Sequence, residues 1–259
     1  MILAVANQKG GVGKTTTSIN LGAYLTRLGR SVLVVDCDPQ ANATTALGID
    51  RRRVEGRSLY EVLTGELAFE QIVLRTAIDG LDLAPSSPTL AGAEVELVEA
   101  GAFETRFREL IRPTALRWDY TLLDCPPSLG VLTANALVAA DGVIVPVQCE
   151  YLALEGLAQL MRTIELVRRR ANPGLRVAGL VLTMYDSRTN LSQQVAEEVR
   201  THFPDTFQVA IPRTIRLGEA PSFGQTILEY DPASRGAAAY NALAEELVAR
   251  LEGAAGGVA

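Results

Sequence analysis

Ile2-Leu3-Ala4-Val5-Ala6-Asn7-Gln8-Lys9-Gly10-Gly11-Val12-Gly13-Lys14-Thr15-Thr16 is the stretch that decides the fold of this chain. An apolar run leads into a glycine-rich turn, and the turn opens directly on helical periodicity. Such a strand, turn and helix N-terminus aim several backbone N–H groups and the positive end of the helix dipole at one point. That arrangement suits a phosphate chain. Lys14 would reach the outer phosphates and the Thr15 hydroxyl would hold Mg²⁺, with Gly10, Gly11, Val12, Gly13 and Thr16 completing the cradle. The spacing GxxxxGK[ST] is not met, because its first glycine falls on Gln8 and an extra lysine, Lys9, stands ahead of Gly10.

The two lysines of this loop are the only ones in a chain whose Lys and Arg total is 24, so every other such position is arginine. A compact charge on a flexible stem is therefore wanted here, where a planar guanidinium would not serve. A net charge of -6 argues against a wholly basic nucleic-acid coat, so any DNA binding must use a local arginine patch. The 3 cysteines, Cys37, Cys125 and Cys149, form no CxxC pair and accompany 1 histidine; they read as reduced core residues rather than a disulfide or zinc set. No apolar run approaches the ~18 residues of a membrane-spanning helix, and the start lacks the pattern of a secretory signal. A cytoplasmic location is expected.

Working outward, Ile2–Asn7, Ser31–Asp36, Leu81–Pro85, Tyr120–Asp124, Gly142–Val147, Val177–Thr183 and Phe207–Ile211 are short, nearly continuous apolar runs, as in strands buried on both faces. Thr16–Leu28, with Ile19, Ala23 and Leu25 on one face, Leu154–Arg170, Ser192–Phe203 and Ala237–Leu251 have helical spacing. The alternation predicts an α/β fold, a predominantly parallel twisted sheet with helices on both faces. One domain is expected over residues 1–259, with the Gly/Ala-rich tail Gly253–Ala259 fraying. Arg51–Arg53 reads as a solvated turn.

Acids gather at the same sheet edge. The second strand ends in Val35-Asp36-Cys37-Asp38-Pro39-Gln40, where one carboxylate can orient the attacking water and the other can join the Mg²⁺ shell. Asp38 can also cap a helix that starts at Pro39. Leu122-Leu123-Asp124-Cys125-Pro126-Pro127 is the Walker B pattern, in which Asp124 contacts the Mg²⁺ shell. Its two prolines stiffen a turn able to sense a γ-phosphate.

At this point KGGVGKTT, VDCDPQANAT, LLDCPPSLG, PVQCEYLALEGL, LTMYDSRTNLSQQV and IPRTIRLGEAPSFG, in this order, resemble the chromosomal ParA (Soj) partition ATPases, P-loop NTPases of the deviant Walker A type. The resemblance covers nearly the whole chain. It implies ATP/ADP and Mg²⁺ as cofactors, and Lys9, Lys14 and Asp38 as catalytic residues. Lys9 crosses an ATP-sandwiched homodimer to the partner's phosphates, and Gly10 permits that close approach. Thr15, Asp124 and Asp36 are assigned to the metal. Met184, Pro212, Arg213 and Thr214 correspond to the adenine region, with Thr214 where the family usually has asparagine. Glu150 resembles a residue near the nucleotide at the dimer interface.

Arg188 and Arg216, with Arg213 added, match arginines of a surface for nonspecific double-stranded DNA on the nucleoid. The implied cycle ends when a ParB-like activator stimulates otherwise slow hydrolysis. Only eight residues precede Lys9, as in the short chromosomal form. Two alternatives stand beside this reading. A MinD-like membrane-surface ATPase would need a basic amphipathic end, but Leu243–Leu251 holds Glu245 and Glu246 with Arg250 alone, so no membrane partner is expected. A metabolic or redox enzyme on the same fold would need a substrate pocket or converging cysteines.

Overall fold

A computed structural model describes residues 1–99, 105–150 and 153–253. Strands β1 (Ile2–Val5), β2 (Val32–Asp36), β3 (Leu74–Arg75), β4 (Leu81–Ala84), β5 (Tyr120–Asp124), β6 (Gly142–Gln148), β7 (Arg176–Tyr185) and β8 (Thr206–Pro212) form one sheet in the order β3-β4-β2-β5-β1-β6-β7-β8. Every pairing is parallel except β3 with β4. β1 is central, flanked by β5 and β6; β2 to β5 fill one side of it before the chain crosses to build β6, β7 and β8 outward on the other. The crevice beyond the carboxyl end of β1 is therefore the switch point where α/β sheets take ligands.

The apolar runs are continuous because both sheet faces are covered. Leu3 and Val5 face one core with Ile19, Leu21, Leu25, Tyr240 and Leu243, whereas Ile2, Ala4 and Ala6 face the other with Leu132, Leu137, Leu157 and Leu160. Burying each of the valines, leucines and isoleucines contributes ~1.5–3 kcal/mol. Helix α1 (Lys14–Arg27) differs from the expected single-faced helix: Thr17 through Leu25 are all buried. The reason is the C-terminal helix Arg235–Gly253, which packs across its far side through Tyr240, Leu243, Ala244 and Leu247. At Gly22 a Cβ would come within 3.1 Å of Leu81 Cδ1, so glycine lets α1 lie close on the sheet.

The seven expected strands are present with ends shifted by a few residues. β3 was not expected; with two residues, half-buried and exposed, it carries no apolar run to detect. The helix foreseen at Pro39 does not form there. It starts at Asn42, after a turn in which Ala41 takes the left-handed conformation at φ 52°. Arg51–Val54 is a single 3₁₀ turn whose arginines are exposed. Of the tail, Gly253 ends the last helix and residues 254–259 lie outside the described residues.

Candidate nucleotide site

Gly13 caps α1 in the left-handed conformation (φ 86°), which favours glycine, and it offers no side chain to the first helical N–H groups. No acidic residue stands in that first turn. Those N–H groups and the dipole are thus left to an external anion. The loop is tied down from three sides. Thr183 Oγ1 donates to Val12 O (2.9 Å), Asn7 Oδ1 accepts from Lys9 N (3.0 Å), and Asn7 Nδ2 donates to Pro146 O (2.7 Å). Val12 is 1% exposed and packs inward.

Lys14 Nζ donates to Lys9 O at 3.1 Å inside the loop, and burial holds its ammonium below the usual lysine value. Beneath it Asp124 is fully buried; it accepts from Thr15 Oγ1 (2.7 Å) on one oxygen and from Ser18 Oγ (2.8 Å) on the other. Burial pushes this carboxyl up to about 6, against the pull of those two hydroxyls. A divalent cation fits this donor set, a hydroxyl over a carboxylate that gains by being charge-paired.

A cleft of about 530 Å³, within the ~300–1,000 Å³ of small-ligand sites, opens above and is lined by Gly10, Gly11, Gly13, Lys14, Thr15, Thr16, Asp38, Asn42, Pro127 and Met184 among others. An adjoining cleft shares Gly13, Thr16 and Met184 and adds Pro212, Arg213 and Thr214. Met184 stands at both mouths with φ 52°, an unusual conformation for a side-chain-bearing residue and one that accumulates at functional sites. At the rim, Glu150 lies 4.0 Å from Lys9 Nζ and 4.0 Å from Arg213 Nη1.

Residues 1–177 match the family described as AAA domain. The chain is 55% identical over 251 residues to the chromosome-partitioning ATPase Soj of Thermus thermophilus, covering 96% of each. It is 51% identical over 249 residues to the sporulation initiation inhibitor protein Soj of Bacillus subtilis, covering 96% of this chain and 98% of that one. Among solved structures, a cobyrinic acid a,c-diamide synthase from Mycobacterium smegmatis, with bound ADP and magnesium, superposes with TM-score 0.86 at 40% identity over 98% of this chain and 96% of that one. The chain belongs to the Soj/ParA chromosome-partitioning ATPases.

Within this Soj/ParA site the two acids of the second strand's end are placed differently. Asp36 is fully buried and lines neither cleft: it accepts from Thr44 N (2.8 Å) and Thr44 Oγ1 (2.7 Å) on one oxygen and from Asp38 N (3.2 Å) on the other. Burial, then the Asp124 charge, push it up to about 7. Through Thr44 it braces the Asn42–Ala46 helix from behind the clefts. Asp38 instead keeps one oxygen on Gln40 N (2.9 Å) and lines the cleft.

Sequence reasoning missed Ser18, Asn42, Pro221 and Ser222, which reach the site only through folding; Ser18 alone was findable, one helical turn after Lys14.

The expected DNA arginines of the Soj/ParA surface are not equally free. Arg188 grips Asp186 through Nε (2.9 Å) and Nη2 (2.8 Å), holding that carboxyl well below the usual range. Arg216 is shared between Glu219 (3.1 Å) and Asp231 (3.4 Å). Arg213 approaches Glu150 at 4.0 Å, and its charge also helps to lower the Asp186 carboxyl. Arg235, which the sequence did not single out, lines a cleft of about 160 Å³ with Tyr185, Asp186, Ser187, Arg188, Pro212 and Arg213.

Proposed function

We propose that this protein is a nucleotide switch for chromosome partition, its whole length acting as one P-loop ATPase domain. The observation that carries the reading is the convergence of Lys14, Thr15, Asp38 and, below them, Asp124 on one cleft, with a second lysine, Lys9, at its rim. The phosphate loop binds ATP through the open N–H groups of α1 and Lys14. Thr15 and Asp124 hold Mg²⁺, which when bound supplies charge neutralisation at the phosphate oxygens. Asp38, with an oxygen open to the cleft, orients the attacking water. Met184, Pro212, Arg213 and Thr214 hold the base.

Lys9 reaches the nucleotide of a second copy, so ATP makes a dimer; two arginine surfaces on one particle then bind nonspecific DNA by avidity. A ParB-like activator stimulates hydrolysis and returns the protein from nucleoid to cytoplasm. A membrane-surface role is disfavoured because the apolar face of Arg235–Gly253 is spent on α1 and β8. A synthase reading rests on a 40% likeness, against 55% and 51% for the partition proteins.

The test is retention of a nonspecific duplex at low and moderate salt with ADP, ATP or a slowly hydrolysed analogue. Retention only with ATP or the analogue, falling with salt, supports the switch. Binding that ignores nucleotide, or none at all, overturns it.

A further inference from the structure

Dimerisation multiplies the arginine surface, and the β7–β8 edge shows which of its arginines are open to a phosphate. Tyr185 at the end of β7 pairs with Pro212 at the end of β8, and Arg213 N donates to Tyr185 O (2.9 Å), so the two strand ends form one floor. Arg235 begins the C-terminal helix beside that floor, and the cleft of about 160 Å³ lies between them. It is too small for a nucleotide and suits a single charged group.

Inside this cleft Arg188 is occupied. Asp186 accepts from its Nε, its Nη2 and its backbone N–H (3.0 Å), a two-pronged grip of the kind a phosphate makes on guanidinium. Arg188 is 86% exposed and Asp186 20%, so water reaches the guanidinium and keeps the pair weak enough to open. It nevertheless competes directly, because a phosphate approaching Arg188 must displace a carboxylate that then remains nearby as a like charge. Arg235 has no hydrogen bond or ion pair through its side chain among the described residues, and it is exposed. Arg213 is only loosely engaged by Glu150.

We propose that Asp186 is an internal phosphate mimic on Arg188, and that Arg235 is the free cation that anchors a DNA phosphate in the cleft between β7, β8 and the C-terminal helix. The inference rests on the DNA-binding reading above and adds to it a contact residue and an antagonist. Arg188 then contributes to DNA binding only after Asp186 lets go, and Arg235 makes the first contact. Both roles are independent of base sequence.

The experiment is anisotropy of a labelled mixed-sequence duplex against full-length protein with Mg²⁺ and a slowly hydrolysed ATP analogue, across a salt series. Asp186→Asn, which keeps an acceptor for the Arg188 backbone N–H, should tighten binding about threefold to tenfold and steepen the salt slope by roughly 0.9 for each further phosphate that is neutralised. Arg235→Gln should weaken binding by a similar factor and flatten the slope. In Asp186→Asn/Arg188→Gln the tightening should vanish, since Asp186 acts through Arg188. Circular dichroism melts check that each variant is folded.

Wild-type affinity in Arg235→Gln, or a tightening from Asp186→Asn that survives in the double variant, overturns the inference while leaving the partition reading intact. Failure of the wild type itself to bind DNA removes both.

Discussion

Thr15 Oγ1 donates to Asp124 Oδ2 at 2.7 Å, and this bond ties the first turn of α1 to the end of β5. Ser18, one turn further along, holds the other oxygen at 2.8 Å, so both oxygens of the acid face α1. Asp124→Asn keeps the volume but replaces one acceptor oxygen with a donor and removes the charge. ATP turnover should fall at least about tenfold, ~1.4 kcal/mol. The Mg²⁺ concentration at half-maximal rate should rise. Phosphate release over a Mg²⁺ titration reads both, and an unchanged midpoint would count against Asp124 as the metal's partner.

Lys14 is 7% exposed, and burial lowers its affinity for its own proton. A buried ammonium that mainly serves an absent anion is unfavourable to the nucleotide-free protein. Lys14→Ala should therefore weaken ATP binding by about a hundredfold or more, the loss of ~3 kcal/mol of charge-assisted hydrogen bonding. Nucleotide-free protein should melt no lower than wild type. Titration with a fluorescent nucleotide beside a thermal melt separates the effects; a variant with normal affinity would mean that the phosphate loop is misassigned.

How much of this was legible beforehand depends on whether the signal was local. The loop from Gly10 to Thr16 and the strands that end at Asp36, just before Asp38, and at Asp124 are contiguous patterns with a period, and the fold followed from them. β3 was invisible because pairing, not side-chain pattern, makes it a strand. Asp36 and Asp38 are chemically alike and two residues apart, and strand alternation alone puts them on the same face. What separates them is Thr44, which closes on Asp36 from a helix whose start depends on Ala41. The pairing of Arg188 with Asp186 lies two residues apart in sequence and could have been read; Arg235 joins them only because the last helix returns to the β7–β8 edge.

Stability should depend on pH through the two buried acids. Asp36 and Asp124 have folded-state values raised to about 7 and about 6 from a usual 3.8, burial being the larger cause in each. The folded protein thus binds their protons more tightly than the unfolded chain does, and their contribution to stability is fullest below pH 4 and is lost as pH rises towards 7. The Met1 amine, lowered by burial, acts in the opposite sense near pH 8. Nucleotide-free protein should lose several degrees of melting temperature between about pH 5 and 7.5, at roughly 2–4 °C per kcal/mol. Mg²⁺ with ATP should narrow the loss, because a cation beside Asp124 favours its charged form. A flat profile in both conditions would show that neither acid is protonated in this range.

Asp38 separates binding from hydrolysis. Its backbone N–H is held by Asp36 and one of its oxygens by Gln40 N, which fixes the carboxylate's direction while it lines the cleft beside Lys14. Nothing in that arrangement contributes to holding phosphate, since a carboxylate repels it. Asp38→Ala should keep nucleotide affinity within about threefold and reduce turnover by about a hundredfold or more, the scale of a lost general base or water-orienting group. ATP then persists, and under the proposed function, in which Lys9 reaches a second copy's nucleotide only while ATP is bound, dimers should accumulate. Light scattering with ATP and Mg²⁺ should report a mass near twice the 27.7 kDa chain in Asp38→Ala, where wild type relaxes to monomer as ATP is consumed. Adding Lys9→Ala to the same protein should return it to monomer with ATP still bound. Monomers in the single variant, or dimers in the double, would break the link between Asp38, the lifetime of ATP and the contact that Lys9 makes.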